Sequence, residues 1–134
     1  MATIADIEGI GPANAEKLRG AGVRSIEALL ARGGTAKGRK ELASAANIDE
    51  SKLLKWVNHA DLFRVRGIGS EYSDLLEAAG VDTVPELRQR NAASLYETLI
   101  RTNEVKKLVR KLPTADQVAG WVKQAKSLSR AVEY

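Results

Sequence analysis

Apolar positions along the chain recur at three- and four-residue intervals and nowhere alternate strictly with polar ones, so the pattern predicts helices throughout. Leu75, Leu76 and Ala79 show the i, i+1, i+4 spacing of one buried helix face. Gly22 and Gly80 stand where such faces stop. Each precedes a valine placed to pack back, the signature of a left-handed residue after a helix C-terminus. Ser25 and Thr83 read as caps of the helices that follow. Thr83 with Glu86, Ser94 with Glu97 and Thr114 with Gln117 have capping-box spacing. Asp49 takes the cap position before Leu53, Leu54, Trp56 and Val57. The predicted helices are 12–21, 25–32, 36–46, 50–62, 70–79, 83–90, 94–101, 103–111 and 115–130, with Gly33-Gly34 a loop.

The chain also repeats itself. Residues 7–32, IEGIGPANAEKLRGAGVRSIEALLAR, align without a gap on residues 65–90, VRGIGSEYSDLLEAAGVDTVPELRQR. Gly9, Ile10, Gly11, Leu18, Gly22, Val23 and Arg32 recur as Gly67, Ile68, Gly69, Leu76, Gly80, Val81 and Arg90. Trp56-Val57 and Ala60 recur as Trp121-Val122 and Ala125 once the second copy is allowed seven extra residues. Two copies of this length are too few and too long for a solenoid. The fold class expected is all-α, with two pseudo-symmetric repeats, 1–62 and 63–134, packed into one compact helical domain.

At 134 residues and 44% hydrophobic content the chain can bury a core. The absence of cysteine excludes disulfides, thiol catalysis and cysteine-based metal sites. With no long apolar run and no basic-then-apolar leader at Met1–Asp6, the expectation is a soluble cytoplasmic protein without a membrane partner. The net charge of +4 is concentrated in one place. Residues 101–134 hold eight basic and three acidic side chains, whereas 63–100 hold four and six. Lys106, Lys107, Arg110 and Lys111 are spaced i, i+1, i+4, i+5, one face of the predicted helix 103–111. Lys123, Lys126 and Arg130 form a second such face. A basic face of this kind is either a polyanion-binding surface or an ordinary solvated one.

Each copy also carries an apolar-x-Gly-Ile-Gly turn opening a helix and a Gly-Val turn closing it, a pattern that resembles the helix–hairpin–helix family. The longer span LLKWVNHADLFRVRGIGSEYSDLLEAAGVDTVPELRQRN, echoed by GWVKQAKSL, resembles a bacterial tandem helix–hairpin–helix family catalogued as a domain of unknown function. The first resemblance implies that the turns present glycine amides to the phosphates of one nucleic-acid strand without reading bases. It also implies that they can hold a monovalent cation through carbonyl oxygens. Physical chemistry agrees with the first implication: unpaired amides at a helix N-terminus form a positive end that a glycine lets a ligand approach closely. The candidate nucleic-acid-binding residues are Gly9, Ile10, Gly11, Lys17 and Arg24 at the first turn, and Arg66, Gly67, Ile68 and Gly69 at the second. Lys106, Lys107, Arg110 and Lys111 complete the set. The sequence departs from a typical DNA-binding hairpin beyond each second glycine, where Pro12-Ala13-Asn14 and Ser70-Glu71-Tyr72 carry no basic residue. Glu71 and Asp74 would compete with a phosphate. The other reading of both turns is a structural hairpin that binds nothing.

Trp56 and Trp121 fall at core spacing. His59, the single histidine, has no partner at metal-ligand spacing and is expected to be exposed. Tyr72 is expected between helices rather than on a base. No G-x-S-x-G, S-x-x-K or paired-acid pattern is present, and Gly-Ile-Gly lacks the rest of a P-loop and the strand of a Rossmann turn. The expectation is a non-enzymatic binding module with no resident cofactor and no small-molecule substrate. Its partner is DNA or another nucleic acid, bound weakly through phosphates, or alternatively a protein for which the fold is a scaffold.

Overall fold

Capping side chains set most of the helix starts. In the computed structural model, residues 3–7 and 9–134 are described; Met1, Ala2 and Glu8, the variable position of the first turn motif, lie outside the described residues. The α-helices are α1 (Gly11–Gly20), α2 (Ile26–Gly33), α3 (Ala36–Ala46), α4 (Glu50–Leu62), α5 (Ser70–Ala78), α6 (Val84–Arg88), α7 (Ala92–Lys106) and α8 (Ala115–Ser127), after a 3-10 turn at Ile4–Asp6. Among the described residues the one β contact is an isolated bridge between Thr3 and Ser25. The protein is all-helical otherwise. No described helix is long and apolar enough to cross a membrane.

Ser25 and Thr83 cap α2 and α6 as their spacing predicts, accepting from the amides of Ala28 and Glu86. The complete capping box forms at Thr114 and Gln117, where each side chain bonds the other's backbone amide. The Asp49 carboxylate accepts the Ser51 hydroxyl (2.6 Å) and the Ser51 amide (2.8 Å), which hold its pKa below the ordinary value.

The predicted helices 94–101 and 103–111 require correction. They are one helix, α7, capped by Asn91 rather than Ser94, followed by a loop over 107–114. Four like charges on adjacent positions of one helical face repel, and Pro113 excludes helix just behind them. Asn103 then offers the backbone an alternative: its side chain donates to the Val109 carbonyl (3.1 Å) and accepts the Val109 amide (3.0 Å). The chain leaves the helix through Lys107 in the left-handed conformation (φ 51°).

The chain divides into two units, Met1–Asp61 with Ala131–Tyr134, and Leu62–Arg130. The final four residues, expected with the second repeat, lie with the first unit. There the Glu133 amide donates to the Gly34 carbonyl (2.7 Å). Arg39, accompanied in α3 by Lys37 and Lys40, is buried. Its guanidinium donates to the carbonyls of Gly33 (2.9 Å), Gly34 (3.2 Å) and Glu133 (2.7 Å) and lies 5.8 Å from the Tyr134 ring. His59, expected on the surface, is likewise fully buried. Helical spacing placed it on a face that sequence could not tell from solvent.

In the second unit Leu75, Leu76, Val81, Leu87, Leu99, Val118 and Trp121 form one apolar core, with α6 and α7 against α8 and α5 against α7. Trp56 and Trp121 are each 2% exposed, the core positions their spacing predicts. Trp→Ala at either should lower unfolding free energy by ~3–5 kcal/mol, measured by denaturant titration. Lys107→Gly should raise it by about 0.5–1 kcal/mol, because glycine adopts the left-handed cap without the Cβ clash. A lowered denaturation midpoint would show that the lysine side chain matters more than its backbone.

Candidate functional site

Each unit contains a helix closed by the same turn. At the end of α1 the Gly22 amide donates to Arg19 (3.0 Å) and the Val23 amide to Leu18 (2.8 Å). At the end of α5 the Gly80 amide donates to Glu77 (3.0 Å) and the Val81 amide to Leu76 (2.8 Å). These paired bonds define a Schellman motif, with glycine at φ 89° and 94° and a buried valine packing back. The recurring arginines complete it: Arg32 donates to the Ala21 carbonyl (3.2 Å) and Arg90 to that of Gly80 (3.3 Å).

The Gly-Ile-Gly turns at the other end of these helices are alike in their first half and different in their second. Gly9 and Gly67 both have positive φ, 87° and 92°, and Ile10 and Ile68 are buried anchors whose amides bond back to Ile7 and Val65. Gly11 then has φ 73°, whereas Gly69 is extended at φ −115°. Glycine takes both conformations without a Cβ clash, so the same Gly-Ile-Gly motif can open a helix in either way. Pro12 leaves the first turn one amide short. The expectation of two identical turns is corrected to that extent.

Amide availability is the property that bears on anion binding. Among the described residues, none accepts a hydrogen bond from the amides of Gly67 or Gly69. The preceding amide, that of Arg66, is occupied: it donates to Gln124 Oε1 (3.0 Å) while Gln124 Nε2 donates to the Arg66 carbonyl (3.3 Å). That clamp fixes the approach to the turn and leaves the Arg66 side chain exposed. Arg64 and Arg66 line an open cleft of about 500 Å³ with Gln124, Ser127 and Leu128.

The basic candidates fall into different settings. Lys106 ends α7, Lys107 is its left-handed cap, and Arg110 and Lys111 are exposed in the loop, so the four do not share a helix face. The loop is nevertheless tied to the second turn. Tyr72, in the first turn of α5, donates its hydroxyl to the Lys111 carbonyl (2.9 Å) and packs on Trp121 with ring centroids 5.3 Å apart. Sequence spacing held no signal for that tie, since the residues are thirty-nine apart. At the first turn, Lys17 is turned away, its ammonium donating to the Asn47 carbonyl (3.3 Å). Arg24 is exposed in the loop after Val23. The second turn, despite Glu71, therefore has Arg66 and the Lys111 loop beside it, while the first keeps Arg24 on the far side of α1.

The sequence has a family counterpart. Residues 8–128 match the family described as Domain of unknown function (DUF4332). The chain belongs to that family. The match spans both units. No curated protein and no solved structure matches the chain.

A Cβ added at Gly67 would lie 3.0 Å from Trp121 Nε1, whereas one at Gly9 would meet open space. Both positions need positive φ, so Gly→Ala strains each by about 1–2 kcal/mol. The excess loss at Gly67 over Gly9, measured by chemical denaturation of the two variants, should report the Trp121 contact. Equal losses would show that the indole gives way.

Proposed function

We propose that the chain is a tandem helix–hairpin–helix protein, made of two pseudo-symmetric repeats, that binds nucleic acid weakly through the phosphate backbone. On this reading it is a cytoplasmic binding module and not an enzyme. The observation that carries the reading is the second turn: two amides without acceptors open α5, and the Tyr72–Lys111 bond brings the Lys111 loop to the same helix end. Backbone amides, a helix N-terminus and mobile cations are what a phosphodiester accepts, and none of them distinguishes one base from another. Sequence independence follows from the chemistry. Glu71 in the first turn of α5 opposes an incoming phosphate, which sets the affinity low.

The second reading, a protein-interaction scaffold with structural hairpins, draws on Lys17 being held by Asn47 and on the Gln124 clamp, both of which consume polar groups near the turns. A titration of labelled duplex DNA by fluorescence anisotropy separates the two. Binding should appear at low salt with micromolar or weaker affinity and fall steeply with added salt as counterions are released. Arg110→Glu with Lys111→Glu should weaken it at least ~10-fold, and Glu71→Lys should strengthen it ~3-fold. Lys107 is left alone because its left-handed backbone would confound the result. No anisotropy change at about 100 μM protein in low salt would favour the scaffold reading, since non-specific complexes are populated well below that.

A further inference from the structure

The corner between the second and third helices of each repeat meets the repeat's last helix, and the two units fill that place differently. In the first unit the corner joins α2 to α3 and packs on α4 so closely that a Cβ on Gly33 would lie 2.6 Å from Val57. An extended stretch of the chain, Ala131–Tyr134, occupies this place. Glu133 is bonded through its amide and carbonyl, Val132 is buried, and the Tyr134 hydroxyl donates to Asn58 (3.1 Å). In the second unit the corner joins α6 to α7 beside α8. There an open cleft of about 510 Å³ is lined by Arg88, Arg90, Lys123 and Lys126 over a floor that includes Ala119 and Val122. By the repeat alignment Arg90 matches Arg32 and Val122 matches Val57, but Arg88, Lys123 and Lys126 stand where the first copy has Leu30, Asn58 and Asp61. Three cations are thus peculiar to the open copy, so they are not required by the shared scaffold.

We propose that this cleft binds an extended acidic peptide segment of a partner protein, about as long as the four residues that fill the sister groove. Among the described residues no acidic side chain lines the cleft. Asp116, a turn before Ala119 on α8, and Glu86, two residues before Arg88 on α6, lie outside its lining. Arg88, Lys123 and Lys126 have no ion pair there, and Arg90 is held by the Gly80 carbonyl with donors to spare. Arg and Lys together take carboxylates by charge-assisted hydrogen bonds. The floor gives a small aliphatic side chain the burial that Val132 finds in the first unit. The N-terminus of α7 adds a positive end on the same side. The proposal does not rest on the nucleic-acid reading, which uses the Gly67–Gly69 turn and the Lys111 loop.

The test uses the full chain and a fluorescein-labelled hexapeptide alternating Glu with Ala and Val, with the same peptide carrying Gln for Glu as control. The Glu peptide should raise anisotropy at low salt and the Gln peptide should not. Lys123→Glu with Lys126→Glu should weaken the complex at least ~10-fold, with Lys123→Arg retaining it. Arg110→Glu with Lys111→Glu should leave it unchanged. Arg88→Gln serves as the second variant should the double reversal unfold, as judged by circular dichroism. Equal binding of both peptides would overturn the proposal, as would indifference to the cleft variants. Displacement of the Glu peptide by hexathymidylate at lower concentration, dependent on Lys123, would assign the cleft to nucleic acid instead.

Discussion

Each unit depends on ending a helix abruptly and sending the chain back. An α-helix leaves its last carbonyls without partners, and a sharp reversal can satisfy them only through a residue of positive φ. Gly22 and Gly80 supply it, and the following valine is drawn into the core by the same bond that closes the turn. Arg32, in α2, and Arg90, just past α6, then reach back to a carbonyl of that turn. The same helices begin nine or ten residues earlier, each at a Gly-Ile-Gly turn.

That constraint gives the candidate site its composition. A helix N-terminus has amides to offer, but burial normally consumes them. Around the second turn three side chains, two from α8 and one from α5, divide the work: Gln124 takes the Arg66 peptide group, Trp121 lies close to Gly67, and Tyr72 secures the Lys111 loop. The amides of Gly67 and Gly69 are left without an acceptor among the described residues. At the first turn Pro12 removes one of the donors. Proline thus follows the first turn, while aromatic and amide contacts brace the second.

Much of the fold was legible locally. The caps at Ser25, Thr83 and Thr114, the stops at Gly22 and Gly80, and the buried tryptophans all follow from short-range chemistry: a hydroxyl within reach of an amide, a φ that only glycine takes cheaply, an apolar side chain at helical period. The basic stretch 106–111 misled because charge spacing on an assumed helix says nothing about whether the helix continues. Asn103 and Pro113, both visible in the sequence, ended it, yet the exchange of bonds between Asn103 and Val109 exists only once the loop has folded back.

The sequence by itself determined that this chain is helical, that it carries two copies of one turn-bounded motif, and where its helices stop, because each of these is decided within a few residues. Tertiary structure decided which charges are free to act. Arg39 left the surface to grip three carbonyls, Lys17 was drawn to Asn47, the Lys111 loop was tied to Tyr72, and the last four residues filled one groove while its counterpart stayed open. A long flexible cation has no preferred partner until distant backbone is brought within reach. Its role is fixed only when the chain has closed around it.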